Sequence, residues 1–480
     1  MQALRQLGAR SELSTLTVGV GLTGLATLVV MRYGASVGLG LVIALAFFSG
    51  AVALFLLAPH VAVAATIPLF ALLPAAKVLV SLKLGGLKDV VVLAAGVAVA
   101  LRLLERDGRQ TAARTEKSIP VAAALFLLLY VLDLGGATSH SGYGIAWVHG
   151  IRLVAEPLIL LAAGLLLVEP RKMMDWAARS MIATGCFVAS YGLLQQALGG
   201  ARLVHLGYSY DLQVRAIGSH LRSFGTLDDS FAYAAFLLLA LATVVFWMRK
   251  GLGAVACALL IGAGIAASLV QTAAVIAGAL LALWLARSGR PAAGLVLFAA
   301  LVATGVALAL AAGTATQTRT VRAGPGTYLT LNGRVSVWSA LFSDHKRIPL
   351  GLGVGKVGRA SLRAKIGVTN VSGSASQTKA GEVAVDSGYF TAIADIGVVG
   401  LLVLLFLLAR MLATLWRATS LRDNVPGWLG VGYLTVLLLD ATTRDTFTGF
   451  PTAFLGFLLL GICLGSVRDV ARAERRAAHT

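Results

Sequence analysis

The sequence predicts an all-α polytopic integral membrane protein, with about 12–14 transmembrane helices and one long extracytoplasmic loop. Two observations carry that class, composition and run length. Of 480 residues, 58% are hydrophobic and 13% charged, and mean hydropathy is +0.86. A soluble domain carries about a quarter charged residues. A water-soluble fold of this composition would expose large apolar patches, so the bilayer is the solvent for most of the chain. The apolar residues form unbroken runs of about twenty rather than alternating segments of about ten, which excludes a β-barrel and leaves helices.

Taken in order, spans fall at 13–31, 36–57, 60–80, 87–104, 118–136, 145–168, 174–197, 229–248, 252–270, 272–287, 292–312, 387–409, 427–443 and 447–466. Gly85-Gly86, Glu169-Pro170-Arg171-Lys172 and Arg287-Ser288-Gly289-Arg290-Pro291 punctuate them. The first span follows Arg5 and Arg10 without a small-residue cleavage site and is expected to be an uncleaved anchor. Four regions result: an N-terminal transmembrane bundle (1–197), helices flanking a first outer loop (198–312), the long extracytoplasmic loop (313–386), and C-terminal transmembrane helices with a basic tail (387–480). Cys186, Cys257 and Cys463 each sit inside an apolar run, so no disulfide framework or zinc site is read from them.

The net charge of +19 does not indicate nucleic acid, because no soluble domain carries a basic face. It is read against the membrane rule instead. Arg102, Arg106, Arg109, Arg114, Lys117, Arg171, Lys172, Arg249, Lys250, Arg287 and Arg290 fall on one side, joined by Arg410, Arg417, Arg422, Arg468, Arg472, Arg475 and Arg476. That side is expected to be cytoplasmic and to hold both termini. Lys83 and Lys88 fall on the other side, against the bias. Residues 198–228 and 313–386 are then outside, and loops of such length are uncommon unless functional. The second is strongly basic, with Arg319, Arg322, Arg334, Lys346 and Arg347 among its cations and Asp344, Glu382 and Asp386 as its acids. Either long loops translocate regardless of charge, or this one handles an anionic ligand such as a lipid-linked phosphate or diphosphate.

Arg222 precedes a helix start at Asp228-Asp229-Ser230, where one of these three is the N-cap. A guanidinium beside a helix N-terminus at the membrane boundary suits a diphosphate, or else a snorkelling interfacial role. Arg215 is a second candidate cation in the same connection. In the long loop, residues 333–342 read as a short amphipathic helix whose cation is Arg334, followed by Pro349-Leu350-Gly351-Leu352-Gly353-Val354-Gly355. That run lacks nucleotide-loop spacing and is expected to form a tight turn lying on the membrane surface. Asp386 stands directly before the next span, where it serves as N-cap, as general base for a sugar hydroxyl, or as both. Within spans, Arg152 and Glu156 lie four apart and neutralise each other. Asp133 and His140, and Asp440, Arg444 and Asp445, lie near outer helix ends, lining an outward cavity or forming structural ion pairs.

Three stretches together resemble the O-antigen ligase and polymerase superfamily of bacterial membrane glycosyltransferases: Arg222 to Ala235, Arg334 to Gly355 with Trp338, and Asp386 to Leu401 with Tyr389 and Asp395-Ile396-Gly397-Val398-Val399-Gly400. The resemblance covers roughly the C-terminal half. It implies an enzyme of the bacterial inner membrane that transfers a glycan from an undecaprenyl-diphosphate carrier to a glycan or glycolipid acceptor, without cofactor or metal. On the matching positions, Arg222 and Arg334 would contact the diphosphate and Asp386 would act as base, with Trp338 and Tyr389 as substrate-binding residues; Arg215, Asp440 and Arg444, outside those stretches, are further substrate-binding candidates. Ligases typically carry histidine where Asp386 stands, which favours a polymerase-like member or another cell-wall acceptor. The competing class is a transporter or flippase of lipid-linked sugars, which should show repeated halves with broken helices.

Overall fold

The computed structural model describes residues 35–105, 116–137, 144–167, 169–209, 213–217, 220–297, 299–300, 349–355, 360, 387–421 and 424–477. The chain runs α1 (Ala35–Leu57), α2 (Pro59–Leu79), α3 (Leu87–Leu104), α4 (Ser118–Leu132), α5 (Ile145–Leu166), α6 (Pro170–His205), β1 (Arg215–Ile217), β2 (His220–Arg222), α7 (Ser230–Trp247), α8 (Leu252–Ala267), α9 (Gln271–Arg287), α10 (Gly388–Ala418), α11 (Val425–Asp440) and α12 (Thr452–Ala477). It is a helical membrane protein: α2, α5, α6, α7, α10 and α12 are each long and apolar enough to cross a bilayer. The expected spans at 13–31 and most of 292–312 lie outside the described residues, as do His140, Glu382 and the amphipathic segment at 333–342.

Two helices form the centre. Over its most apolar stretch α7 is 78% buried and α12 89%, and helices apolar all round belong inside a bundle. α12 packs most extensively on α5. A Cβ on Gly164 would collide with the Leu458 carbonyl and one on Gly461 with the Leu161 carbonyl, so small residues let these two backbones touch. Contact of that kind supplies the dispersion that holds helices together in lipid, where apolar side chains gain nothing by leaving the solvent.

Four expectations are corrected by the structure. Residues 198–228 are not a plain loop: α6 continues past a non-helical Gly199 to His205, and an antiparallel hairpin follows. Lys88 is not a loop cation, because it is buried in the bundle with its Nζ 2.8 Å from Glu156 and 2.5 Å from Asp89. Arg152 pairs with Glu156 at 2.6 Å as expected and also with Asp89, making a four-charge network between α3 and α5. The glycine run 349–355 is not a surface turn, since only Pro349 and Leu350 at its start are exposed. Val354 is 3% exposed, and Gly351, Gly353 and Gly355 are buried with it against α5 and α10. Finally, the N-cap position of α10 is Ser387 rather than Asp386, and the Ser387 hydroxyl donates to the Ala441 carbonyl at 3.0 Å instead of capping its own helix.

Candidate functional site

The helices alternate in direction, so the ends of α2, α4, α6, α8 and α11 and the starts of α3, α5, α7, α9, α10 and α12 share one end of the bundle. Cross-links there are polar and specific. Lys77 pairs with Asp228 at 3.5 Å, and the Thr272 and Thr443 hydroxyls share a hydrogen bond at 3.2 Å. Asp229 caps α7 by accepting from Ala232 N at 2.6 Å, so the middle of the three expected caps is the one used.

Arg222 and Arg215 sit directly opposite each other on the hairpin. Register partners project from the same face of the ladder, so the two guanidinium-bearing side chains leave the hairpin on one side. Arg222 is 8% exposed. Its guanidinium lies 4.6 Å from the centre of the Phe231 ring, and its Nε donates to the Ser268 carbonyl at 3.3 Å. Ring stacking and a carbonyl bond fix the plane of the fork.

Two glutamines that the sequence reading passed over hold the segment carrying Arg222. Gln195, fully buried in α6, accepts from Phe224 N at 3.1 Å and Gly225 N at 2.9 Å, and donates to the Gly225 carbonyl at 2.8 Å. Gln196 donates to the Leu221 carbonyl and the Ser223 hydroxyl at 2.8 and 2.7 Å. The only sequence signal was two adjacent amides in an otherwise apolar span, where polar side chains need partners. Beneath them Tyr208 packs edge-on to Phe224, and burial beside the Tyr191 hydroxyl pushes the Tyr208 phenol above the ordinary tyrosine range, so this support stays uncharged.

The second part of the end is built from α10, α11 and the turn before α12. Gly388 N donates to the carbonyls of Ala441 and Arg444 at 2.9 and 2.8 Å, which ties the start of α10 to the end of α11. Tyr389 strengthens the tie through its hydroxyl, which donates to the Leu438 carbonyl at 2.9 Å, while its ring packs on Phe447. Asp440 and Arg444 are both buried, with 3.8 Å between Oδ2 and Nη1. Thr446 donates to Asp440 at 2.6 Å and Thr448 to Asp445 at 2.6 Å. Asp445 also lines a cavity of about 20 Å³ with Tyr130, Thr391 and Thr448, large enough for one water molecule.

The third part is an interlock. α10 is broken at Gly397 (φ 72°), and the turn 349–355 fills the notch. Leu352 N donates to the Ala394 carbonyl at 2.7 Å, Val354 N to Asp133 Oδ1 at 2.8 Å and Gly355 N to Asp395 Oδ1 at 3.3 Å. Tyr130 completes Asp395 from the other oxygen at 3.3 Å. Backbone meets backbone at Gly351 and Gly397, and Gly135 meets the Gly351 and Leu350 carbonyls, so no Cβ fits on these three glycines.

The structure therefore brings Arg215 to Arg222, and Tyr389 to the turn that carries Arg444 after Asp440. It also brings the glycine run to Asp395-Gly397, joining two of the three stretches that carry the resemblance. Asp386, Arg334 and Trp338 lie outside the described residues. Among the described residues no group of three or more histidine, cysteine or acidic side chains is arranged to hold a metal ion. Set against known proteins, the chain is matched by no family model, and no curated protein matches it significantly.

Proposed function

We propose that the protein is a membrane glycosyltransferase that polymerises or ligates undecaprenyl-diphosphate-linked oligosaccharides during bacterial surface polysaccharide assembly. It would work at the outer face of the inner membrane, with both termini cytoplasmic. One observation carries the reading most: an opposed arginine pair, the chain entering α10 next to Asp386, and the Asp440–Arg444 pair gather at the same end of an apolar bundle. Burial of Arg222 and Arg444 strengthens their field on a phosphate, because few waters compete.

In this mechanism Arg222 and Arg334 take up charge on the departing diphosphate. Asp386 accepts the proton of the attacking sugar hydroxyl. Direct displacement inverts the anomeric carbon. The carrier diphosphate supplies the activation, so neither nucleotide sugar nor metal is required.

The transporter reading keeps one specific support. α10 is broken at Gly397 and the bundle encloses the Lys88, Asp89, Arg152 and Glu156 charges, both features of polar pathways through membranes. Purified protein given lipid-linked oligosaccharide and no nucleotide sugar separates the two. Longer glycans with release of lipid diphosphate are expected. Intact substrate, together with its passage across proteoliposomes, would establish the flippase instead.

A further inference from the structure

Arg444 is 7% exposed, and among the described residues its Nη1 and Nη2 have no hydrogen-bond partner. The Asp440 oxygen 3.8 Å from Nη1 is outside hydrogen-bond reach and already accepts the Thr446 hydroxyl. The residue is also pinned, since its carbonyl accepts from Gly388 N at 2.8 Å and Thr446 N at 2.9 Å. A buried ion pair offsets its desolvation only with close geometry and further hydrogen bonds, and a guanidinium with two empty nitrogens has neither. Among the described residues the corner lacks one acceptor.

What lies beside it favours an anion. Thr443, the preceding residue, bonds Thr272 in the first turn of α9. That helix has no side-chain cap at Val270, no acid in its first turn, and an exposed Gln271 at its tip. An uncapped N-terminus presents N–H groups and positive potential. Arg222 meets Phe231 and Ser268, neither of them among the Arg444 contacts named above.

We propose that Arg444 is a second seat for a phosphate oxyanion, separate from the Arg215–Arg222 pair, so that the protein holds two phosphate-bearing ligands at once. The inference rests on the glycosyltransferase reading and narrows it. Joining two glycans that are each carried on a lipid diphosphate needs two seats, whereas transfer to a phosphate-free acceptor needs one. Asp440 then acts as a counter-charge that keeps the empty seat tolerable.

The test uses full-length protein in a phosphate-free maltoside detergent, titrated with farnesyl diphosphate and with inorganic diphosphate, with stoichiometry read by native mass spectrometry. Two farnesyl diphosphates per chain are expected, with Arg444→Gln and Arg222→Gln each retaining one. Inorganic diphosphate binding equally well at the Arg444 seat would make free diphosphate its ligand, and binding of the farnesyl probe alone would make it lipid-borne. Asp440→Asn keeps an acceptor for Thr446 but removes the competing charge, and should tighten that seat by about 3–10-fold. Weaker or unchanged binding in Asp440→Asn, a single ligand on the unmodified chain that either arginine substitution abolishes, or two ligands retained in Arg444→Gln would each overturn the second seat. Glycan transfer assayed on the same preparations keeps the outcomes apart: transfer with one seat overturns this inference alone, and two seats without transfer overturn the enzyme reading alone.

Discussion

Arg222 is held by contacts that a lysine cannot reproduce: a flat face on Phe231, an Nε bond to the Ser268 carbonyl, and an opposed guanidinium at Arg215. Arg222→Ala should therefore cost transfer on the order of 2–4 kcal/mol, Arg222→Lys should recover only part, and Arg363→Ala in the long loop should do little, all read as kcat/KM on lipid-linked substrate. Equal, mild losses at Arg222 and Arg363 would mean the cations act as a diffuse field. At Asp386 the structure sharpens the experiment, because the cap position belongs to Ser387. Neither Asp386→Asn nor Asp386→Ala should disturb the start of α10, yet both should lower turnover by roughly 10²–10⁴ if the carboxylate takes the acceptor proton. Full turnover in Asp386→Asn would move the base to Glu382, Asp440 or Asp445. Asp386→His, which restores the ligase residue type, should retain activity with its pH dependence moved toward about 6.5.

At the scale of elements, the interlock of the 349–355 turn with the break in α10 is the feature most open to a single change. Gly397 has φ 72° and ψ −173°, a conformation that side chains avoid, and a Cβ there would strike the Pro349 carbonyl and Gly351 N. Gly397→Ala should lose about 1–3 kcal/mol from strain alone and lower the thermal midpoint in detergent. Gly200→Ala, where a Cβ meets only the Val214 methyl at 3.3 Å, should be far milder. An unchanged midpoint in Gly397→Ala would show that the turn does not seat there. Much of the helix layout was legible: the run at 87–104 is α3 residue for residue, and 118–136, 229–248 and 272–287 differ from α4, α7 and α9 only near their ends. What escaped has physical reasons. The strands beside Arg222 are three residues each, too short for an alternating pattern to register. Glycine is common inside membrane helices, so Gly397 did not announce a break. Lys88 lies next to a glycine pair and looked like a loop charge because its partner Glu156 is 68 residues away.

For the whole molecule, arginines at both ends of the bundle bond helix C-terminal carbonyls, as Arg222 does at Ser268, the C-cap of α8, so the proposed orientation rests on where the remaining cations fall. At the end away from the hairpin, Arg102 donates to the Leu56 carbonyl at 3.3 Å, Arg287 to Phe246 at 2.5 Å and Arg468 to Leu165 at 3.4 Å, each at or near a helix C-terminus. Arg410 there pairs with Glu116 and donates to Ser118 at 3.0 Å. These cations hold helix ends whose carbonyls and dipoles already favour them, so they are structural. They are also the cations that the membrane rule assigns to the cytoplasm, which would put the Arg215–Arg222 hairpin and Arg444 outside. Labelling single cysteines tests this once Cys186, Cys257 and Cys463 have been replaced. Ser374→Cys, in the long loop, should react with an impermeant maleimide in intact spheroplasts. Ser288→Cys, exposed at the opposite end after α9, should react only after lysis. The reverse pattern would place the hairpin and Arg444 in the cytoplasm, where a glycan already carried outward on its lipid cannot reach them, and the proposed transfer would fall with the topology.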